Sequence, residues 1–217
     1  MLCAFGAGIL FWSFLGKVQA ADIEILVTDP AGNGLQNAVV VADVLDSPPD
    51  GANHKEAKLP SVTIAQHNKQ FEPYVSVIRV GTVVDFPNRD NILHNVYSFS
   101  KVKTFQLPLY KDKPPEPVLF DKPGVVVLGC NIHDWMVAYV YVVASPFYAE
   151  TDAGGRAILA DLPPGAYRIR AWHPRKKRRG SSQPREIRIT EASDRVRMEF
   201  TIGLKPEWRP NRPAQKN

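Results

Sequence analysis

A thiol, an imidazole and a thioether follow one another at intervals of three residues in the segment 130–136, which reads CNIHDWM. With 5 His and 3 Met in 217 residues, the chance that a given Cys has both at these offsets is roughly 3 in 10,000. A thiolate and an imidazole on one short loop can bind the same metal ion, and a thioether can add a soft, weak axial donor. The spacing therefore predicts a metal site at Cys130, His133 and Met136.

The chemistry of these donors indicates which metal they would bind. Copper electron-transfer sites combine two imidazoles and one thiolate with a distant methionine, whereas zinc sites do not favour Met. The second imidazole must come from elsewhere, and His94 fits best because it lies where a polar bend meets an apolar strand. His54, His67 and His173 lie in a linker, a turn and a later β region, and we expect them to be surface or packing residues.

Short β-branched runs separated by turn residues surround these candidates, and the sequence has no long amphipathic helix, so it predicts an all-β fold. Strands are predicted at 23–27, 38–41, 62–66, 74–78, 82–86, 96–99, 124–128 and 137–144, followed by turn-and-strand units at 151–159 and 162–170 and by strands at 185–190 and 196–202. Residues 101–117 are rich in Lys and Pro and are predicted to form an exposed loop.

Four features of the central part of the chain occur together: Phe71-Glu72-Pro73, the strand at 80–88, His94-Asn95-Val96 and the Cys130-x-x-His133-x-x-Met136 spacing. With them, residues 61–144 resemble the cupredoxins, especially amicyanin, pseudoazurin and the proteins labelled methylamine utilisation proteins. The resemblance implies a Greek-key β-sandwich and one-electron transfer. It also implies one copper ion in a type 1 site formed by His94, Cys130, His133 and Met136.

Two departures from the cupredoxin pattern concern the surroundings of the ligands. Ile132 replaces the proline that commonly precedes the second histidine ligand, and it keeps an amide N–H that could donate to the Cys130 sulfur. Asn131 follows the cysteine where Ser or Thr is common. Asn88 could bond to Asn131 and join the two ligand loops.

Turn signals in the flanking regions form a second pattern, with VTDxxG at 27–32 and QNAVV at 36–40 before the central part, and TDxxG at 151–155 and LPPGxY at 162–167 after it. This pattern is similar to carboxypeptidase-regulatory-like (prealbumin-like) domains, which are small β-sandwiches. Neither half has enough strands to be stable alone. We therefore predict a discontinuous sandwich of residues 21–46 and 146–203, a linker at 47–60, a cupredoxin domain at 61–145 and a tail at 204–217. The alternative is a single sandwich with two decorated ends.

Residues 1–20 combine an apolar run with a Val-Gln-Ala ending, which predicts a signal peptide and an exported, periplasmic protein. The alternatives are an uncleaved anchor or a start codon placed too far downstream, since no basic residue precedes the apolar run. Cleavage would remove Lys17 and Cys3, which lowers the formal net charge of +5 by one and leaves Cys130 as the only thiol. We expect no stable membrane insertion after cleavage.

The basic run at 175–179 is predicted to be a solvated loop, although it could also attract an acidic redox partner or an anionic surface. Nucleic acid is not expected as a partner, because no nucleic-acid-binding motif accompanies the run. We expect a redox protein to dock instead at an apolar surface formed by Ile132, His133 and Trp135, with electrons passing through His133.

Three functions remain open on these residues. The first is a copper protein that carries single electrons, the second is a copper-binding or delivery protein, and the third is a structural β-sandwich with a degenerate metal site. Cys130 and His133 could imitate a nucleophile and its base. The nearby Met136 favours the metal interpretation, so an enzyme is not expected.

Overall fold

A computed structural model of the protein describes residues 20–46, 60–114, 116–190, 193 and 195–207. Within these ranges the chain forms 18 β-strands in five sheets and no helix. The described residues accordingly contain no helix that is long and apolar enough to cross a membrane. The predicted all-β fold class is confirmed.

Two four-stranded sheets combine strands from before and after the central part of the chain. The first contains, in spatial order, β14 (Arg156–Leu162), β1 (Ala21–Thr28), β18 (Arg195–Leu204) and β16 (Lys176–Ser181). The second contains β13 (Phe147–Glu150), β2 (Val39–Val44), β15 (Gly165–Trp172) and β17 (Arg185–Ile189). β1 runs antiparallel to β14 and parallel to β18, so that Ile25 lies opposite Ala157 on one side and Met198 on the other.

The residue pattern explains how the strands of this flanking sandwich bury their side chains. Side chains of a strand alternate between its two faces, and the buried residues of β1 are Ala21, Ile23, Ile25 and Val27. β2 is different, because Val39, Val40, Val41 and Ala42 are all fully buried. A continuous apolar run of this kind is expected for a strand that is covered on both faces.

The central part of the chain forms a second sandwich. Its larger sheet contains, in spatial order, β6 (Val75–Arg79), β12 (Val137–Val143), β11 (Gly124–Gly129), β8 (His94–Ser100) and β9 (Lys103–Tyr110). Its smaller sheet contains β10 (Val118–Phe120), β7 (Thr82–Asp85) and β3 (Ser61–Thr63), and a hairpin of β4 (Ala65–His67) and β5 (Gln70–Glu72) completes it. The buried core includes Phe86, Phe120 and Leu128.

A third buried cluster joins the two sandwiches. Val39 and Val41 of β2 are clustered with Val75 of β6 and Val143 of β12. These contacts cover the second face of β2 along residues 39–42, which is why all four of these residues are apolar. The central sandwich is therefore packed against the flanking one through an apolar contact.

Two predicted loops are strands in the structure. Residues 103–110, predicted as part of an exposed loop at 101–117, form β9 at the edge of the five-stranded sheet. The prediction was wrong because Lys and Pro are also tolerated on edge strands, where one side needs no pairing. The basic run at 175–179 lies largely in β16, another edge strand.

Candidate metal centre

The ligand loop, residues 130–136, connects two neighbouring strands. β11 and β12 are antiparallel, and their last pair joins Gly129 to Val137. Cys130 therefore directly follows one strand and Met136 directly precedes the other. Both side chains are buried, with 4% and 1% exposure, and both belong to the core cluster of the central sandwich. The strand pairing thus brings a thiol and a thioether to the same end of the sandwich.

The first imidazole is placed by the neighbouring strand β8. This strand runs antiparallel to β11, so its first residue, His94, lies beside the end of β11. His94 is fully buried, and its Nδ1 is 3.9 Å from Sγ of Cys130. The potential ligand atoms of His94, Cys130 and His133 all lie within 4.8 Å of one another. Three of the four predicted ligands thus form one cluster.

One nitrogen of the His133 imidazole is a buried polar atom. Its Nδ1 is buried and has no hydrogen-bond partner among the described residues. Burial, followed by the adjacent His94, lowers the pKa of the His133 imidazole, which favours the neutral form. Buried polar atoms normally have partners, and a neutral imidazole nitrogen is a metal ligand. The orphaned atom therefore fits a metal ion bound at this position.

The path of the ligand loop explains the position of Met136. The Met136 amide donates to the carbonyl of His133 at 2.9 Å, and the Val137 amide donates to that of Trp135 at the same distance. These bonds turn the chain back into β12 directly after His133. Met136 enters the core next to the end of β11, the strand that Cys130 follows, which is consistent with the predicted role of the Met136 sulfur as a weak donor.

A carboxylate that was not predicted lies behind His94. Asp90 Oδ2 is 2.8 Å from Nε2 of His94, and the Asp90 carboxylate also accepts hydrogen bonds from the amides of Asn68 and Lys69. Burial opposes ionisation of Asp90, but these hydrogen bonds outweigh it and hold its pKa below the usual value. His94 is thus held from the side opposite Cys130.

The three residues expected around the ligands behave differently from the prediction. Asn88 does not bond to Asn131, because its amide group donates to the carbonyls of Ile92 and Tyr110 and accepts from the Asp90 amide. The ligand loops are joined instead by Asn95, whose Oδ1 accepts from the Asn131 amide at 2.8 Å.

The third expectation concerned the Ile132 amide. It makes no hydrogen bond to the Cys130 sulfur within the described part of the chain, where the neighbour of Sγ is His94 Nδ1. The Ile132 side chain is 51% exposed. Ile132 therefore contributes to the surface of the ligand loop rather than to the surroundings of the thiol.

Trp135, the other residue of the predicted docking surface, has a structural partner. Its Nε1 donates to the carbonyl of Lys69 at 3.0 Å, and its ring centroid is 5.1 Å from that of His133. His133 is partly exposed, whereas His94 is not. The order of exposure agrees with the expectation that His133 is the more accessible imidazole.

The remaining histidines lie away from this cluster or outside the described residues. His67 Nδ1 lies 3.3 Å from Glu72 Oε2, and His173 Nδ1 accepts a hydrogen bond from the Arg175 amide. His54 lies outside the described residues. Neither His67 nor His173 belongs to the group that could hold a metal ion.

No family model matches the chain, and no curated protein matches it either. Among solved structures, it is similar to a purple cupredoxin from Nitrosopumilus maritimus, with 26% identity over 38% of this chain and 99% of that chain and a TM-score of 0.35. It is also similar to a mutant of amicyanin in its reduced Cu(I) form at pH 4, with 22% identity over 47% of this chain and 98% of that one and a TM-score of 0.36. A copper-containing nitrite reductase from Thermus scotoductus shows 25% identity over 56% of this chain and 28% of its own, with a TM-score of 0.38.

Proposed function

We propose that this chain is an exported type 1 copper protein that carries single electrons between redox partners and is not an enzyme. Copper would be bound by His94, Cys130, His133 and Met136. The observation that carries the proposal is the convergence of Cys130 Sγ with one imidazole nitrogen from each of His94 and His133. In addition, Nδ1 of His133 is buried and has no hydrogen-bond partner within the described part of the chain. This donor set, completed by a buried methionine, is the one that copper favours in electron-transfer sites.

The placement of the donors favours electron transfer over delivery of the metal. Cys130 and Met136 flank a loop closed by paired strands, and His94 begins a strand in the same sheet. Ligands held in this way rearrange little between oxidation states. A delivery protein must instead release its ion, which buried ligands oppose. Bound copper would supply the redox chemistry, a one-electron change between Cu(II) and Cu(I), while the protein would keep the four ligands in place.

The electron route that we propose runs through His133 to a redox protein docked on the ligand loop. Ile132 is 51% exposed on this loop, and Trp135 lies beside the His133 ring. Ile92 and Leu93, which directly precede His94, are also exposed. Weak redox encounters need only a small contact area. An apolar surface of this kind is sufficient for a transient partner.

The domain division and the location are further parts of the proposal. We propose that residues 21–46 and 146–203 form one carboxypeptidase-regulatory-like sandwich into which a cupredoxin domain, residues 61–145, is inserted. The sheet that β1 shares with β14 and β18 supports this division. The Asp152 turn also supports it, since Asp152 Oδ1 accepts from the amides of Gly154 and Arg156. Export to the periplasm rests on the sequence of residues 1–20, which lie almost wholly outside the described residues.

Voltammetry of the copper-loaded protein, with a Cu(I) chelator in solution, separates the carrier from a delivery protein. A carrier should give a reversible one-electron wave that is unchanged after many cycles, because the ion stays bound in both states. Loss of the wave as the chelator takes up Cu(I) would contradict the carrier function and support delivery. Measured rates of copper loss from both oxidation states would complete the comparison.

A further inference from the structure

We propose that Asp90, Asn68, Lys69 and Trp135 form a clamp that positions both imidazoles of the metal centre. Asp90 would hold His94 directly, and the Asn68–Lys69 turn would connect Asp90 to Trp135 on the ligand loop, beside His133. The inference rests on the proposed copper function for its effect on the metal. The clamp itself consists of contacts between protein groups.

The Asp90 carboxylate is the centre of the clamp. It accepts from Asn68 N at 2.7 Å and from Lys69 N at 2.8 Å, and it lies 2.8 Å from Nε2 of His94. The His94 side chain is fully buried and that of Asp90 is 13% exposed, so little water competes for these bonds. An ionised carboxylate can only accept, so the His94 proton must be on Nε2. The lone pair of Nδ1 then faces Cys130, as a metal ligand requires.

The turn between β4 and β5 has the geometry that makes both of its amides available. Asn68 and Lys69 have φ values of 51° and 56°, the left-handed conformation that a two-residue hairpin turn needs at both positions. Asn is tolerated there, but Lys is uncommon in this conformation. The two hydrogen bonds to Asp90 stabilise it. Asp90 thus orders the turn at the same time as it orients His94.

The opposite side of the turn reaches the ligand loop. The Lys69 carbonyl accepts from Trp135 Nε1 at 3.0 Å, and the Trp135 ring lies 5.1 Å from that of His133. A continuous set of contacts therefore runs from His94 through Asp90, Lys69 and Trp135 to His133. Since His94 and His133 come from distant parts of the chain, this set fixes them relative to each other.

Asp90 also places a negative charge directly behind a metal ligand. A carboxylate that accepts from a ligating histidine makes the imidazole a stronger donor, and loss of such a partner typically weakens metal binding by about 10–100-fold. The more highly charged Cu(II) gains more from the carboxylate than Cu(I). The clamp should therefore lower the reduction potential of the bound copper.

The first experiment measures the reduction potential of the copper-loaded wild type, Asp90→Asn and Asp134→Asn. Asp134 is the matched control, because it is exposed and adjacent to His133, so its charge is screened by solvent. If Asp90→Asn weakens Cu(II) binding about tenfold and leaves Cu(I) binding unchanged, the potential rises by about 59 mV. Asp134→Asn should give a much smaller shift. An unchanged potential in Asp90→Asn, or equal shifts in both variants, would overturn the proposal.

The second experiment tests the link to the ligand loop with Trp135→Phe, which keeps a ring beside His133 but removes the hydrogen bond to Lys69. Copper should be retained but lost to a chelator several-fold faster than from the wild type. The rate for Tyr148→Phe, a conservative aromatic change in the flanking sandwich, serves as the control. Equal loss rates for Trp135→Phe and the wild type would remove Trp135 from the clamp.

The third experiment requires neither copper nor a variant. Nitrogen-15 NMR of the histidines in metal-free wild-type protein should show His94 with its proton on Nε2. A proton on Nδ1 would overturn the proposal even if all variants failed to fold. If His94 has the expected tautomer but the protein binds no copper, the proposed function fails and the clamp does not.

Discussion

Sγ of Cys130 and Nδ1 of His94 lie 3.9 Å apart, although the two residues are separated by 36 positions in the chain. In zinc sites the metal–nitrogen and metal–sulfur distances are about 2.0 and 2.3 Å, and two donors at such distances, about 120° apart around one ion, are about 3.7 Å from each other. The observed separation of 3.9 Å is close to this value, so the two atoms could bind the same ion. It arises because β8 and β11 are antiparallel neighbours whose adjacent ends carry the two residues.

Met136 is expected to tune the centre rather than to hold the metal. Met136→Leu conserves the volume of a side chain that is 1% exposed, so the free energy of unfolding should change by less than about 1.5 kcal/mol. The protein should retain copper, and its reduction potential should rise because a weak axial donor is lost. Voltammetry of the variant checks this. A variant that no longer binds copper would show that the thioether is a principal ligand.

Ile132 offers the cleaner test of the docking surface, since Trp135 also bonds to Lys69. Ile132→Glu changes a side chain that is 51% exposed, so copper binding and colour should persist. Electron transfer with the native partner should slow by about tenfold, because a charge is placed in an apolar contact. Ile158→Glu is the control, since Ile158 is 57% exposed on the flanking sandwich. Stopped-flow rates that fall equally in both variants would argue against docking on the ligand loop.

Gly155 joins the two halves of the flanking sandwich at close range. It has a φ of +76°, and an added Cβ would lie 2.3 Å from the Val27 carbonyl oxygen. Gly155→Ala should therefore destabilise the protein by at least about 3 kcal/mol, through backbone strain and a clash with a neighbouring strand segment. Gly32 has a φ of +88° but open space around it, so Gly32→Ala should cost only about 1–2 kcal/mol. Denaturant unfolding measures both, and equal costs would contradict the close contact.

Glu150 should make stability depend on pH. Burial raises the pKa of its carboxyl from 4.5 to about 7. Between pH 4.5 and about 7, Glu150 keeps its proton in the folded protein but has lost it in the unfolded chain. The contribution of Glu150 to the free energy of unfolding therefore falls as pH rises through this range. The free energy of unfolding of Glu150→Gln should therefore exceed that of the wild type by about 1–2 kcal/mol at pH 8, after allowance for partial exposure, and should equal it at pH 4.

The wild type must be compared with Glu150→Gln because His173 changes the stability of both proteins with pH in the opposite direction. Burial lowers the pKa of His173 from 6.5 to about 4, so its contribution to stability rises with pH over that interval. The difference between the variant and the wild type cancels this effect. Chemical unfolding across pH 4–8 measures the difference, and a gap that does not vary with pH would mean that Glu150 ionises normally.

Local sequence patterns were enough to predict most of the strands and the three residues, His94, Cys130 and His133, that the fold brings together at the candidate site. Cys130, His133 and Met136 share one loop, so their spacing was visible, and His94 could be chosen from its position at the start of an apolar strand. Asp90 and Asn95 were not predicted, because their roles depend on contacts that form only after folding. Asp90 contacts the β4–β5 turn, and Asn95 of β8 bonds to Asn131, which lies just beyond the neighbouring strand β11.

Edge strands were the elements that sequence patterns missed. β9 contains Lys103 and Pro108, and a Lys- and Pro-rich segment reads as a loop. Its inward residues, Phe105 and Leu107, do alternate and pack against the core. This weak alternation is the pattern that could have predicted β9 as a strand. The basic run in β16 was missed for a related reason, since edge strands also carry charged side chains.

The absorption spectrum of the protein during titration with Cu(II) tests the central claim most directly. The wild type should become coloured and saturate at one equivalent, because a thiolate-to-copper charge-transfer band requires Cys130 bound to the metal. Cys130→Ala should remain colourless and lose tight binding while keeping the circular dichroism of a folded β-protein. A colourless wild type, or a Cys130→Ala variant with the same band, would contradict the copper centre proposed for this protein.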